Sequence, residues 1–238
     1  MKKIAFVFTM LCCLALSAQA GVAKYCMSYS DFVADNWKSV DELTQGRTNR
    51  ACQIKDGQNQ FRFKTGDKQA DKVLKKEAFA VMYGDHLYVN CRNLRSNQVS
   101  LDITGYTPAV RFDNDKVCVM AYKPNTTLAL LSLGADFAGC FVDNSIARAG
   151  IWAGSSAMWI TGEMLSRRVC YLVDSDADAK GKTAVTRMND QFMENLLCND
   201  APMLQKYMNG GNKHNRQSAA NVLPILMEKG LVPSNAIN

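Results

Sequence analysis

The sequence predicts an α+β fold: an antiparallel β-hairpin sheet in the first half, a small-residue helical hairpin in the middle and a helical C-terminal part. Three observations predict it. Apolar runs flank short turn signals, most clearly Gly84-Asp85, and connections that short cannot carry parallel crossovers. A small-residue stretch follows, in which residues 128–142 hold a single charge, Asp136, and residues 149–162 hold none. After Asn189 the apolar residues recur at three- and four-residue spacing, the mark of helix. Strands first and helices last is the α+β order.

The chain opens with Lys2 and Lys3, an uncharged apolar run over residues 4–16, and Ala18-Gln19-Ala20. That is the pattern of a secretory signal peptide over residues 1–20, with cleavage before Gly21. The run is shorter than the roughly 20 residues that cross a bilayer. Neither Cys12 nor Cys13 follows the small-residue box that lipid attachment needs, so a cleaved leader is expected and not an anchor. The expected product, residues 21–238, is a single exported α+β domain, periplasmic or extracellular, with a Gly/Ala-rich insert at about 127–165. Its 218 residues suffice to bury a sizeable core.

Loss of Lys2 and Lys3 takes the formal charge from +6 to +4, a solubility property and no nucleic-acid footprint. Lys68, Lys72, Lys75 and Lys76 fall on one short predicted helix and read as a solvated face, so nucleic acid is excluded as a partner class.

Along residues 29–43, Ser39 with Glu42 fits a capping box before a short helical turn. Polar strands are expected over 47–55 and 60–64, split by the Asp56-Gly57 turn signal. Asp67 opens a short helix with Ala70, Val73 and Leu74 on one side. Around Gly84-Asp85, a two-residue turn pairs Tyr83 with His86, Met82 with Leu87 and Val81 with Tyr88. A second hairpin joins 109–112 to 117–122 around Asp113-Asn114-Asp115, and a third couples 168–173 with 183–188. The helical stripes are Phe192, Met193, Leu196 and Leu197; then Met203, Leu204, Tyr207 and Met208; then Val222, Leu223, Leu226 and Met227. The last ends at Gly230, with Pro224 starting the final helical piece.

Seven cysteines remain after cleavage, Cys26, Cys52, Cys91, Cys118, Cys140, Cys170 and Cys198, an odd number with no CxxC. The dispersion describes neither a disulfide scaffold nor a zinc site; several stand on strands beside valine or tyrosine, where cysteine serves as a small buried hydrophobe. One or two bridges stay open, with no pairing readable.

Asp174, Asp176 and Asp178 alternate like the start of a calcium loop. Ala179 and Val185 stand where that loop requires glycine and a bidentate glutamate, so a solvated hairpin loop is expected. Gly181-Lys182-Thr183 ends like a phosphate loop but has Asp176 in place of its first glycine. His86 and His214 are the only histidines, and neither has a nucleophile or carboxylate at motif distance. Ser155-Ser156 lacks the closing glycine of a nucleophile elbow. No catalytic, cofactor-binding or metal-ligating residue is predicted. In the middle stretch, Ala149, Ala153 and Ala157, and likewise Gly150 and Gly154, repeat at four-residue spacing and offer a smooth helix face for close packing.

The segments Thr65-Gly66-Asp67, Lys75-Lys76-Glu77-Ala78-Phe79-Ala80-Val81 and Tyr83-Gly84-Asp85-His86-Leu87-Tyr88-Val89-Asn90-Cys91-Arg92-Asn93-Leu94 carry a resemblance. The chain resembles a domain-of-unknown-function family of exported Bacteroidetes proteins, which share a Gly-rich middle and a helical end. The resemblance covers most of the expected mature chain. It implies compartment and cell type, and it carries over no catalytic or ligand residue.

Together these readings lead to an expectation of a non-catalytic binding or scaffolding protein of the cell envelope, its partner unspecified. Two alternatives stay open. One is a peripheral membrane protein that meets the envelope or membrane surface through residues 128–162. The other is an enzyme with an unrecognised Cys/His site.

Overall fold

The computed structural model describes residues 23–47, 60–96, 99–101, 105–113, 115–122 and 165–234. In chain order the elements begin with β1 (Ala23–Cys26), α1 (Tyr29–Val33), β2 (Lys38–Val40), β3 (Thr44–Arg47), β4 (Phe61–Lys64) and α2 (Lys68–Lys76). β5 (Ala80–Tyr83), β6 (His86–Asn90), a single 3-10 turn (Cys91–Asn93), β7 (Leu94–Ser96), β8 (Val99–Ser100), β9 (Tyr106–Phe112) and β10 (Lys116–Tyr122) follow. The last part holds β11 (Arg168–Val173), β12 (Thr183–Ala184), β13 (Thr186–Arg187), α3 (Asp190–Leu196), α4 (Ala201–Met208), α5 (Lys213–Arg216) and α6 (Ala219–Glu228).

Ten strands form one antiparallel sheet in the order β13-β11-β10-β9-β6-β5-β1-β2, with β3 on β4 and β4 on β9. The hairpin at Gly84-Asp85 has the expected register, Tyr83 to His86, Met82 to Leu87 and Val81 to Tyr88. Its one positive φ is at Gly84, +60°, the position where a II′ turn places glycine. The β9–β10 hairpin also stands where expected, with Lys116 opposite Phe112 and Asp113 at φ +47°.

Side-chain alternation sends each central strand to two buried faces, which is why β11 reads as an unbroken apolar run. Cys118, Met120, Cys170 and Leu172 join a core closed by Leu74 of α2, Met193 of α3, Tyr207 of α4 and Val222, Leu223, Ile225 and Leu226 of α6. Val117, Val119, Ala121, Val169, Tyr171 and Val173 point the other way, into a core with Phe32 of α1, Cys91, Leu94 and Val185. A second, three-stranded sheet in the order β12-β7-β8 stands at the chain's return towards the large sheet.

β4 has a single register pair with the large sheet, Phe61 opposite Tyr106. Aromatic packing supplies what the ladder does not: Phe61 meets Tyr88 at 5.0 Å, and Phe63 meets Tyr88 and Tyr106 at 5.1 Å each. Edge-on contacts of this kind contribute about 0.5–1.5 kcal/mol each beyond buried area.

The helices start on side-chain caps. Asp67 accepts from the Ala70 amide at 2.7 Å, as its position before the periodic run predicts, and Asn189 and Asp200 do the same for α3 and α4. Gly230, at φ +73°, closes α6, with the Leu231 amide donating back to the Leu226 carbonyl at 2.9 Å.

Three expectations are corrected. Ser39 does not cap a helix: it lies in β2 opposite Lys24, and the helix of this region is α1, capped by Ser28. The sheet captures residues 38–40 because β1 offers a free edge there. Pro224 does not begin the last helical piece but lies inside α6, whose buried residues flank it on both sides and outweigh the roughly 3 kcal/mol penalty of an interior proline. The third hairpin is split: only Thr186 and Arg187 pair with β11, while Thr183 and Ala184 pair in parallel with β7. The expected turn at Asp56-Gly57, Ser155-Ser156, Cys52, Cys140 and nearly all of the small-residue stretch lie outside the described residues. No helix among the described residues is long and apolar enough to cross a membrane.

Candidate functional site

The polar residues singled out in the sequence are placed in separate roles. Asp176 caps the start of α1, accepting from the Ser30 amide at 3.0 Å and from the Ser30 hydroxyl. Asp178 accepts from the Lys180 and Lys182 amides at 2.9 and 2.8 Å, and these donors hold its carboxyl below the usual range. Asp176 and Asp178 thus aim at different neighbours. No group of three or more His, Cys, Asp or Glu that would hold a metal occurs among the described residues. Gly181-Lys182-Thr183 runs into a strand, and Lys182 donates to Asn93 at 3.2 Å. His86 faces Tyr83 at the hairpin, where burial lowers its pKa and so favours the neutral ring. His214 is exposed on α5, in the helical layer. Lys68, Lys72, Lys75 and Lys76 are all exposed on α2, opposite buried Leu74.

Two polar constellations hold the fold together. The first is Arg168, fully buried at the start of β11. One step past the last β9–β10 pair, Val119 with Ala109, Met120 comes opposite Pro108, which has no amide hydrogen to offer. The Met120 carbonyl instead accepts from Arg168 Nη1 at 2.8 Å and from the Thr107 hydroxyl. The same Nη1 donates to Thr107 Oγ1 at 2.6 Å, and the guanidinium lies 4.3 Å from the centre of the Tyr122 ring. The second constellation joins α3, α4 and α5: Arg216 donates through two nitrogens to Asp190, which also accepts from the Tyr207 hydroxyl at 2.8 Å.

A third constellation has unmet hydrogen-bonding capacity. Tyr171 and Arg187 are register partners across β11 and β13, so their side chains share a face. Tyr171 is fully buried, and among the described residues neither its hydroxyl nor the buried Nε of Arg187 has a hydrogen-bond partner. Arg187 is steered by its outer nitrogen, which donates to Gln217 Oε1 at 2.7 Å; Gln217 is fixed in turn by the bridge that the next residue, Ser218, makes to Val169. Burial pushes the Tyr171 hydroxyl up to about 12, against the opposing pull of the Arg187 charge. Cys91, Leu94 and Val185 pack in the same core, and the Val185 amide donates to the Arg95 carbonyl at 2.9 Å, tying the small sheet down beside the pair. Natural proteins satisfy nearly all buried polar groups, and an orphan costs about 1–3 kcal/mol. Both orphan donors stand on one sheet face, on neighbouring strands.

Sequence reasoning missed this pair. Tyr171 sits in the run Val-Cys-Tyr-Leu-Val and reads as core, and Arg187 became its neighbour only through the split of β12 from β13. The usable signal was a hydroxyl-bearing ring at the centre of a strand buried on both faces.

The fold defines an α+β protein with one broad antiparallel sheet, a helical cover on one face and a small sheet on the other. The chain belongs to a family of unknown function (DUF6563), whose profile matches residues 24–232. No curated protein and no solved structure gives a significant match.

Proposed function

We propose that this is a non-catalytic binding or scaffolding protein of the bacterial cell envelope, exported with a cleaved leader and of the Bacteroidetes kind that its sequence resembles. The observation that carries the reading is the export pattern of residues 1–20, joined by the resemblance over most of the expected mature chain. Two features support a non-catalytic role. Two of the three alternating aspartates, Asp176 and Asp178, are engaged by amides and a hydroxyl. The buried thiols are poor nucleophiles: burial pushes Cys26 up to about 12, and the hydrogen bond with Cys118, together with burial, raises Cys170 well above the ordinary thiol value. Export rests on the Lys2-Lys3, apolar-run and Ala-x-Ala pattern.

The test is fractionation of cells that make the native chain, with cross-linking before lysis and N-terminal sequencing of what is recovered. The reading expects material beginning at Gly21 in the envelope or outside the cell, cross-linked to an envelope component. Recovery in the cytosol with Met1 in place sinks it.

A further inference from the structure

We infer that the lysine stripe of α2, Lys68, Lys72, Lys75 and Lys76, is a docking face for an anionic lipid surface. The inference rests on the envelope reading, which sets the kind of surface within reach, and gives it a point of contact. At 3.6 residues per turn the four lysines fall within an arc of about 100°. All four are exposed, while Leu74 on the far side of the helix is buried. Like charges three or four residues apart, as in Lys68–Lys72, Lys72–Lys75 and Lys72–Lys76, weaken a helix, and an acid among them would relieve it. The acids at hand are turned elsewhere. Asp71 stands four residues before Lys75, in position to pair with it, yet accepts from the Thr65 amide at 2.7 Å and the Thr65 hydroxyl at 3.0 Å. Asp67 is engaged by the Ala70 amide at 2.7 Å. Among the described residues no lysine of the stripe has an ion-pair partner, whereas in the C-terminal helical layer Lys206 meets Glu228, Lys229 meets Asp200 and Arg216 meets Asp190. The ridge is also fixed in place, because the Tyr106 hydroxyl and the Asn90 side-chain amide donate to the Leu74 carbonyl at 2.6 and 3.4 Å. Four ammonium groups are hydrated point charges without the fork with which arginine grips one carboxylate or phosphate, so their complement is a field of many anions. With its apolar side committed to the core, α2 meets such a surface by charge alone, reversibly and without insertion.

The experiment measures co-sedimentation of the purified protein with vesicles of phosphatidylcholine alone and of phosphatidylcholine mixed with phosphatidylglycerol. Two double variants accompany the wild type: Lys72→Gln with Lys75→Gln in the stripe, and Lys180→Gln with Lys213→Gln at exposed positions outside it, which removes the same charge. The wild type is expected to bind the anionic vesicles only, and to release them as salt is raised from about 50 mM to about 300 mM. A lysine near an anionic surface strengthens binding about fivefold, so the stripe variant should bind about 25-fold more weakly. The outside variant should stay within about twofold of the wild type. Relief of the lysine repulsion should leave the stripe variant with a Tm at least as high as the wild type, so that its loss of binding is no loss of fold. Three outcomes overturn the inference. The wild type ignores anionic vesicles; the two variants weaken binding equally, which assigns it to net charge; or soluble polyglutamate is bound more tightly than the vesicles and is lost in the stripe variant, which assigns the stripe to an acidic protein. A chain found in the envelope whose stripe ignores lipid defeats this inference alone and leaves envelope location standing.

Discussion

Arg216 grips Asp190 with two nitrogens, Nε on Oδ1 at 3.0 Å and Nη2 on Oδ2 at 2.6 Å, and so locks α5 against the first turn of α3. Asp190 is held well below the usual carboxylate range, first by the Arg216 hydrogen bonds and then by Gln217 and Tyr207, with burial opposing them. An unfolded aspartate titrates near ~3.9, so the contribution is complete above that value and drains away as the pH falls towards the folded one. Asp190→Asn should lower Tm at neutral pH by about 2–6 °C. The two melting temperatures should then converge as the pH is taken from about 5 to about 2. A gap that stays constant over that range would assign the loss to something other than the ion pair.

Replacing Gly84 tests backbone strain with little interference from packing, because an added Cβ meets nothing within 4 Å while φ is +60°. Gly84→Ala should cost about 1 kcal/mol or more, and Asp85→Ala, at the turn position without a positive φ, less than ~0.5 kcal/mol. Urea midpoints give both numbers. Equal losses at the two positions would rule out the II′ geometry.

Arg168 closes the gap that Pro108 opens in the ladder. Arg168→Met leaves the Met120 carbonyl without its guanidinium donor in a buried site and should cost about 3 kcal/mol. Arg168→Lys should recover little of this, since an ammonium cannot span the Met120 carbonyl, Thr107 and the Tyr122 ring together. Denaturant unfolding decides it: a lysine variant as stable as the wild type would show that charge alone suffices.

Thiol labelling separates the described cysteines by burial. Cys26, Cys91, Cys118 and Cys170 are buried and Cys198 is exposed. A maleimide pulse on the native protein, mapped by mass spectrometry, should modify Cys198 first and leave the other four until denaturant is added. Early modification of Cys118 or Cys170 would show that β10 and β11 open locally.

Features that depend on neighbours a few residues apart were legible in the sequence. Gly84-Asp85 dictated its own register, Asp67 its cap, and Gly230 the end of α6, because turn and cap chemistry is local. What escaped was set by distant partners. β1 inserts between β2 and β5 because Cys26, Tyr25 and Lys24 find Ala80, Val81 and Met82 there, and nothing near residue 23 announces those partners. Ser39 carried a genuine capping pattern and was taken by a strand edge instead. The candidate site was hidden for the same reason: Tyr171 and Arg187 are sixteen positions apart, and their pairing depends on where the intervening chain leaves the large sheet.

That departure fixes the length of the chain between Thr183 and Arg187. Ala184 answers to Arg95 in one sheet and Thr186 to Leu172 in the other, with Val185 as the only residue between. Insertion or loss of one residue here flips the side chains of one strand or the other to the opposite face. Surface loops in general tolerate changes of length. Between Thr183 and Arg187 the two registers together require a fixed count, so homologous chains are expected to keep it whichever amino acids occupy the positions.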